Sequence, residues 1–319
     1  LLALSNTDHD SGLNANLTSA ESTDSASNPT DRRSSFGARL RVRYREVLDR
    51  LEELTTGCAE VVMVNSQYTA SVFKEAFSVL GRDVDPLVVY PSLDPPTLAL
   101  PGTPASEAKS GSKLPNEGES AATILSYLKV DQPRRLFVSL NRYERKKRVD
   151  LAVEAFAELR RRPDAGAERS VLVIAGGYDG AVKENAEVLR ELKDIASRSG
   201  LQEGTDIVFR TSISSLERQH LLSNACALLY TPTNEHFGIV PLEAMKVGCP
   251  VIAVATGGPR ETVLHGVTGY LVKQCSTEFA GAMASILEGG EEDGTLISES
   301  SLAPTAVAVS KENVVHTPL

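Results

Sequence analysis

The sequence predicts an α/β fold: a nearly complete C-terminal Rossmann-like domain with a doubly wound parallel sheet, preceded by a partial N-terminal Rossmann-like domain. Three observations predict it. From Leu136 onward, short apolar runs alternate with longer segments whose apolar residues recur at helical spacing. Such alternation implies parallel strands, with helices over both faces of the sheet. The run Ala225-Cys226-Ala227-Leu228-Leu229-Tyr230 reads as a buried strand, followed by a polar loop and a helix. Finally, 319 residues, 41% apolar and 24% charged, are enough for two domains and a sizeable core.

In chain order, residues 1–35 are rich in Ser, Thr, Asn and Asp, lack periodicity, and are expected to be disordered. The opening Leu1-Leu2-Ala3-Leu4-Ser5 has neither an initiator Met nor a basic segment, so it does not read as a signal peptide. Leu40, Tyr44, Val47, Leu48, Leu51 and Leu54 then recur at helical spacing, with Arg39, Arg41, Arg43, Arg45 and Arg50 opposite. That basic face suits solvent or, more sharply, anionic lipid headgroups. Val61–Val64 reads as a strand. Ser66 or Thr69 caps a helix through Phe73, Phe77 and Leu80, and Leu87–Tyr90 is a second strand ended by Pro91. Residues 36–97 thus read as the tail of an open α/β domain.

Residues 98–130 form a Pro/Gly/Ser/Glu-rich insertion, expected to be flexible. The main domain spans 131–288. Strands fit 136–140, 171–175, 206–210, 225–230, 250–254 and 269–272; helices fit 149–162, 182–198, 214–223, 239–247, 259–265 and 277–287. Residues 289–319 are acidic and Ser/Ala-rich without pattern, a second disordered segment.

Several function classes are disfavoured. A net charge of −9 argues against a broad nucleic-acid surface. No apolar run approaches the ~18 residues of a membrane span. Cys58, Cys226, Cys249 and Cys275 are widely spaced, which argues against zinc and suggests four buried thiols. Asp83-Val84-Asp85 sits before Pro86, where turn chemistry accounts for it without a metal. Gly176-Gly177-Tyr178-Asp179-Gly180 follows a strand but lacks the dinucleotide-binding spacing.

The informative stretch runs from Asn234 to Met245. Glu235 and Glu243 lie eight positions apart, with Gly238 opening a helix between them and Pro241 in its first turn. The loop leaves the carboxyl end of a strand, where open α/β sheets bind ligands. The free N–H groups of Gly238, Ile239 and Val240 form a small positive pole suited to phosphate. Arg142 and Lys147 follow another strand at the same edge; arginine offers a planar fork and lysine a compact charge.

This pattern, from Tyr230 through Glu235-His236-Phe237-Gly238 to Pro241-Leu242-Glu243-Ala244-Met245, resembles the retaining GT-B glycosyltransferases of family 4, and most closely their dolichol-pathway α-1,3/1,6-mannosyltransferases. Asn65-Ser66-Gln67-Tyr68-Thr69, Asn141–Lys147 and Gly257-Gly258-Pro259-Arg260-Glu261-Thr262 extend the match, which spans 38–97 and 134–275. The resemblance implies transfer of mannose from GDP-mannose, with retained configuration, to a dolichol-diphosphate-linked oligosaccharide at the cytosolic face of the endoplasmic reticulum membrane. It implies no metal or other cofactor.

By the same resemblance, Arg142 and Lys147 hold the diphosphate, where charge develops in the transition state. Glu243 binds the ribose hydroxyls. Glu235 contacts the mannosyl group, assisted by His236, without acting as a nucleophile. The backbone N–H groups of Gly238, Ile239 and Val240 meet the phosphates. The resemblance also implies an incomplete chain: only the closing part of the acceptor-side domain is represented, and the family's C-terminal crossover helix has no evident counterpart. A family 4 enzyme with a different sugar nucleotide, or a non-catalytic nucleotide-binding remnant, are the alternatives.

Overall fold

The structure, a computed structural model, describes residues 29–93, 135–162 and 167–293. The expectations for residues 1–28, for the insertion over 98–130 and for the tail beyond 293 concern residues outside this set. The chain divides into two compact units, Leu1–Ala59 and Glu60–Leu319. The boundary falls inside the 36–97 segment.

The first unit contains helix α1, Pro29–Thr56. It starts earlier than the periodicity suggests, with Pro29 at the first helical position, where a missing N–H is tolerated. Residues 29–35, expected to be disordered, are therefore helical. Tyr44, Val47, Leu48, Leu51 and Leu54 are all exposed.

The second unit begins with β1 (Met63–Val64), α2 (Gln67–Ala76), α3 (Leu80–Asp83) and β2 (Leu87–Val88). The two strands pair in parallel, Met63 with Leu87 and Val64 with Val88. Val62, Phe73 and Phe77 form the core beneath them. Ser66 is the cap of α2, its hydroxyl accepting from Thr69 N at 2.9 Å. Asp83 ends α3, and Asp85 pairs with Lys74.

The main sheet is built from β3 (Arg135–Leu140), β4 (Ser170–Gly176), β5 (Ile207–Thr211), β6 (Ala225–Tyr230), β7 (Val251–Val254) and β8 (Gly269–Val272). Between them run α4 (Val149–Arg160), α5 (Lys183–Arg198), α6 (Ser215–Asn224), α7 (Ile239–Lys246), α8 (Pro259–Thr262) and, last, α9 (Ser276–Asp293). All pairings are parallel, in the order β5-β4-β3-β6-β7-β8. Alternate residues of β3 feed different cores. Phe137 joins Phe156, Leu172, Phe279 and Met283, whereas Leu136 and Val138 join Val171, Leu222, Leu228 and Ala244. Helices thus cover both faces, as near-continuous apolar strands require. The order turns back between β3 and β6, so the crevice beyond their carboxyl ends is the switch point where such sheets bind ligands.

Further expectations need correction. Residues 289–293, expected to begin a disordered tail, are the last turn of α9. The helix expected over 259–265 stops at Thr262, because Val263 turns extended and buries its side chain. The thiols are not all buried: Cys249 is, Cys226 is half-buried, and Cys58 and Cys275 are exposed. The exposed pair flanks helices, after α1 and just before α9, where the chain runs over the surface. Among the described residues, no helix is long and apolar enough to cross a membrane.

Candidate active site

The loop after β3 is anchored from below. Tyr143 is 1% exposed, and its hydroxyl lies 3.1 Å from the carbonyl oxygens of Ile174 and Arg210. Burial pushes its pKa up. Asn185 Nδ2 donates to Tyr143 O at 2.9 Å. Gly176 adopts φ 151°, and a Cβ there would meet Asn141 O at 1.9 Å, so the end of β4 approaches this loop only as glycine. A short 3₁₀ turn, Arg145–Lys147, follows. Thr231 Oγ1, at the end of β6, donates to Lys147 O at 2.8 Å and ties the loop across the switch point.

That tie places the Lys147 ammonium 2.5 Å from Glu235 Oε2, with the two side chains 19% and 25% exposed. Arg142 behaves differently. Its guanidinium is 72% exposed and 3.5 Å from Glu144, while Lys146 lies 3.2 Å from the same carboxylate. Arg145 is engaged by Glu187 and Glu191, and Arg148 by Asp150. Of the five cations in this loop, Lys147 alone pairs with Glu235.

The Glu235 loop is clasped by the loop after β7. Asn234 N donates to Thr256 Oγ1 at 3.2 Å, and Gly258 N donates to Glu235 O at 2.8 Å. A Cβ at Gly258 would sit 2.4 Å from Phe237 Cα, so the two backbones meet with no room for a side chain. Gly238, at φ 82°, caps α7, and Tyr230 packs beneath it. Burial, the Glu235 charge and a hydrogen bond to Glu235 hold the Tyr230 hydroxyl protonated well beyond its usual range. Ile239 and Val240 occupy the first two helical positions, where N–H groups have no intrahelical partner.

Glu243 lies one turn further along α7. Arg218 of α6 forms an ion pair with its carboxylate. Burial raises the Glu243 pKa, against the lowering pull of Arg218 and Lys246. His236 meets the cap of α2 through its carbonyl and Nδ1. Its carbonyl accepts from Ser66 Oγ at 2.5 Å, and its Nδ1 lies 3.1 Å from Thr69 Oγ1. Glu261 of α8 binds the same turn, accepting from Gln67 N and Tyr68 N at 2.9 and 2.7 Å and from the Tyr90 hydroxyl at 2.9 Å.

Lys147, Glu235 and the Gly238 helix tip are therefore brought to one edge of the sheet, with His236 beside them and Glu243 on the helix that starts there. Sequence reasoning gave no site role to Arg218, Thr231, Thr256 or Glu261. Thr231 and Glu261 left a signal, within the Tyr230–Met245 and Gly257–Thr262 segments; Arg218 and Thr256 left none. Among the described residues, no group of three or more His, Cys, Asp or Glu could hold a metal ion.

The family model described as glycosyl transferases group 1 matches residues 124–300. The alpha-1,3/1,6-mannosyltransferase ALG2 of Homo sapiens is 42% identical over 257 residues, covering 80% of this chain and 56% of that protein. Its Dictyostelium discoideum counterpart is 42% identical over 249 residues, covering 76% and 56%. The chain spans about half the length of these curated relatives. Two solved structures each superpose with a TM-score of 0.57 at 24% identity over 79% of this chain. They are Anabaena Alr3699/HepE in complex with UDP and glucose, covered over 58% of its length, and sucrose-phosphate synthase from Thermosynechococcus elongatus, covered over 55%. They share the fold. With a matching family model over more than half its length, and relatives at about 40% identity beyond that, this chain belongs to the group 1 glycosyl transferases.

Proposed function

We propose that this chain is the donor-binding part of a retaining mannosyltransferase that moves mannose from GDP-mannose to a dolichol-diphosphate-linked oligosaccharide. The observation that carries this reading is the Lys147–Glu235 pair beside the Gly238 helix tip, at the switch point between β3 and β6. The names of the relatives supply the sugar and the linkage. The UDP and glucose named with the Anabaena structure support a nucleotide sugar as the ligand.

Lys147 and the N–H groups of Gly238, Ile239 and Val240 stabilise the departing diphosphate, because positive groups fixed in advance need no reorganisation as charge develops. Arg142 joins them by swinging its exposed side chain from Glu144 to the bound phosphates. Glu243 accepts from the ribose hydroxyls. Glu235, oriented by Lys147, lies against the mannosyl group, and His236 assists at a sugar hydroxyl. No protein nucleophile and no metal take part in this reading. The acceptor is held by the part of the relatives that this chain does not span. The arginine-bearing face of α1 contacts the membrane surface at the cytosolic side of the endoplasmic reticulum.

Competition calorimetry with GDP, UDP and GDP-mannose tests this, followed by turnover with a lipid-linked acceptor. Saturable binding of GDP and GDP-mannose in preference to UDP is expected. UDP preference would move the chain to another sugar nucleotide, and donor binding without turnover even when the chain is joined to the N-terminal half of a relative would identify a nucleotide-binding remnant.

A further inference from the structure

The turn Asn65–Thr69 does more than cap α2, because the hydroxyl protons of Ser66 and Thr69 are committed. Ser66 Oγ donates to the carbonyl of His236 at 2.5 Å, an atom that only accepts. Thr69 Oγ1 donates to Asn65 Oδ1 at 2.6 Å. Neither proton remains for His236 Nδ1, 3.1 Å from Thr69 Oγ1. Asn65 Oδ1 at 2.6 Å is a closer acceptor for the Thr69 proton than the His236 carbonyl at 3.4 Å, and with that proton placed there the ring nitrogen is the donor. A neutral imidazole that donates from one nitrogen accepts at the other.

We infer that Thr69 is a positioning residue that fixes His236 as the Nδ1–H tautomer, leaving Nε2 as a hydrogen-bond acceptor for a hydroxyl of the donor sugar. The sugar contact rests on the donor site proposed above; the tautomer does not. The arrangement is braced from three sides. Thr69 is 8% exposed and Ser66 is fully buried. The Tyr68 ring packs 6.0 Å from the imidazole. Glu261 holds the N–H groups of Gln67 and Tyr68, so the turn stays seated against the His236 backbone. A hydroxyl-bearing sugar suits such an acceptor, whereas a phosphate oxygen, lacking a proton to give, does not. Specificity of this kind reaches the sugar and spares the nucleotide.

The full chain labelled with ¹⁵N-histidine tests this directly. Long-range ¹H–¹⁵N spectra at mildly alkaline pH report which ring nitrogen carries the proton. The chain has five histidines, and His236→Gln assigns the relevant signals. Wild type should carry the proton on Nδ1, Thr69→Val should shift it to Nε2, and Thr69→Ser should restore Nδ1. Valine matches the size of threonine but removes a buried hydroxyl, so the fold of the variant is checked by circular dichroism and thermal denaturation, and the serine variant, which keeps the hydroxyl, separates its loss from a change in packing. Thr69→Val should also weaken GDP-mannose binding roughly three- to tenfold, the loss of one neutral hydrogen bond, with GDP unchanged. An Nε2–H tautomer in wild type, or one that Thr69→Val leaves unmoved, overturns the inference. So does an equal loss for GDP and GDP-mannose. A chain with the expected tautomer that binds neither nucleotide overturns the donor site, and with it the sugar contact, but not the tautomer.

Discussion

Glu243 is held between opposing effects. Removing its carboxylate from water raises its pKa, while Arg218 and Lys246 pull it down, and burial wins. It therefore protonates at a higher pH than an ordinary carboxylate. A neutral carboxyl accepts poorly from two ribose hydroxyls, so GDP affinity should decline with falling pH before an exposed carboxylate would titrate. Glu243→Gln should bind GDP roughly tenfold or more weakly and lose that component of the pH profile, since bonds to charged groups are the stronger ones. Calorimetry across the acid range checks both. The sign for stability is opposite. The folded state holds this proton more tightly than the unfolded chain, so Glu243's contribution falls as pH rises from the ordinary carboxylate range through its raised folded pKa. At this scale the sequence was only partly legible. Glu235, Glu243 and Lys147 were visible as residue types in their loops. That Lys147 would reach Glu235, 88 positions away, and that Arg218 would face Glu243, depend on which strands become neighbours.

The loop after β7 sets the position of the Glu235 loop by leaving no space between the two. Gly258→Ala would press a methyl onto Phe237, with an expected stability loss of about 1–3 kcal/mol from overpacking. GDP-mannose affinity should fall as well, because the carboxylate loop must move. Gly248→Ala is the control. Its φ of 79° carries strain of about 1–2 kcal/mol, but the added atom meets nothing within 4 Å, so binding should not change. Thermal denaturation and donor titration of both variants separate strain from displacement. The main-domain strands were legible to within about a residue because each has a largely apolar centre; Ala225–Tyr230 is the clearest, while β5 ends in Arg210 and Thr211. The weaker readings were short elements. β1 and β2 pair over two residues each, and α8 ends after four because Val263 is drawn into the core as extended chain.

Across the whole molecule, the alternation of strand and helix revealed the α/β class but not the order of the strands. That order matters most for function. Placing β3 beside β6 joins two loops far apart in sequence, and Thr231 completes the join by bonding to Lys147 O. The switch point then has a cation from one loop and, from the other, a carboxylate followed by a helix tip. The central claim is that this junction binds a diphosphate. Calorimetric titration of GDP and GMP into the wild-type chain and Lys147→Met tests it most directly. The account predicts that the substitution weakens GDP by roughly ten- to a hundredfold, the range for a charge-assisted hydrogen bond, and GMP far less. Equal losses for the two nucleotides, or no loss for either, would contradict it.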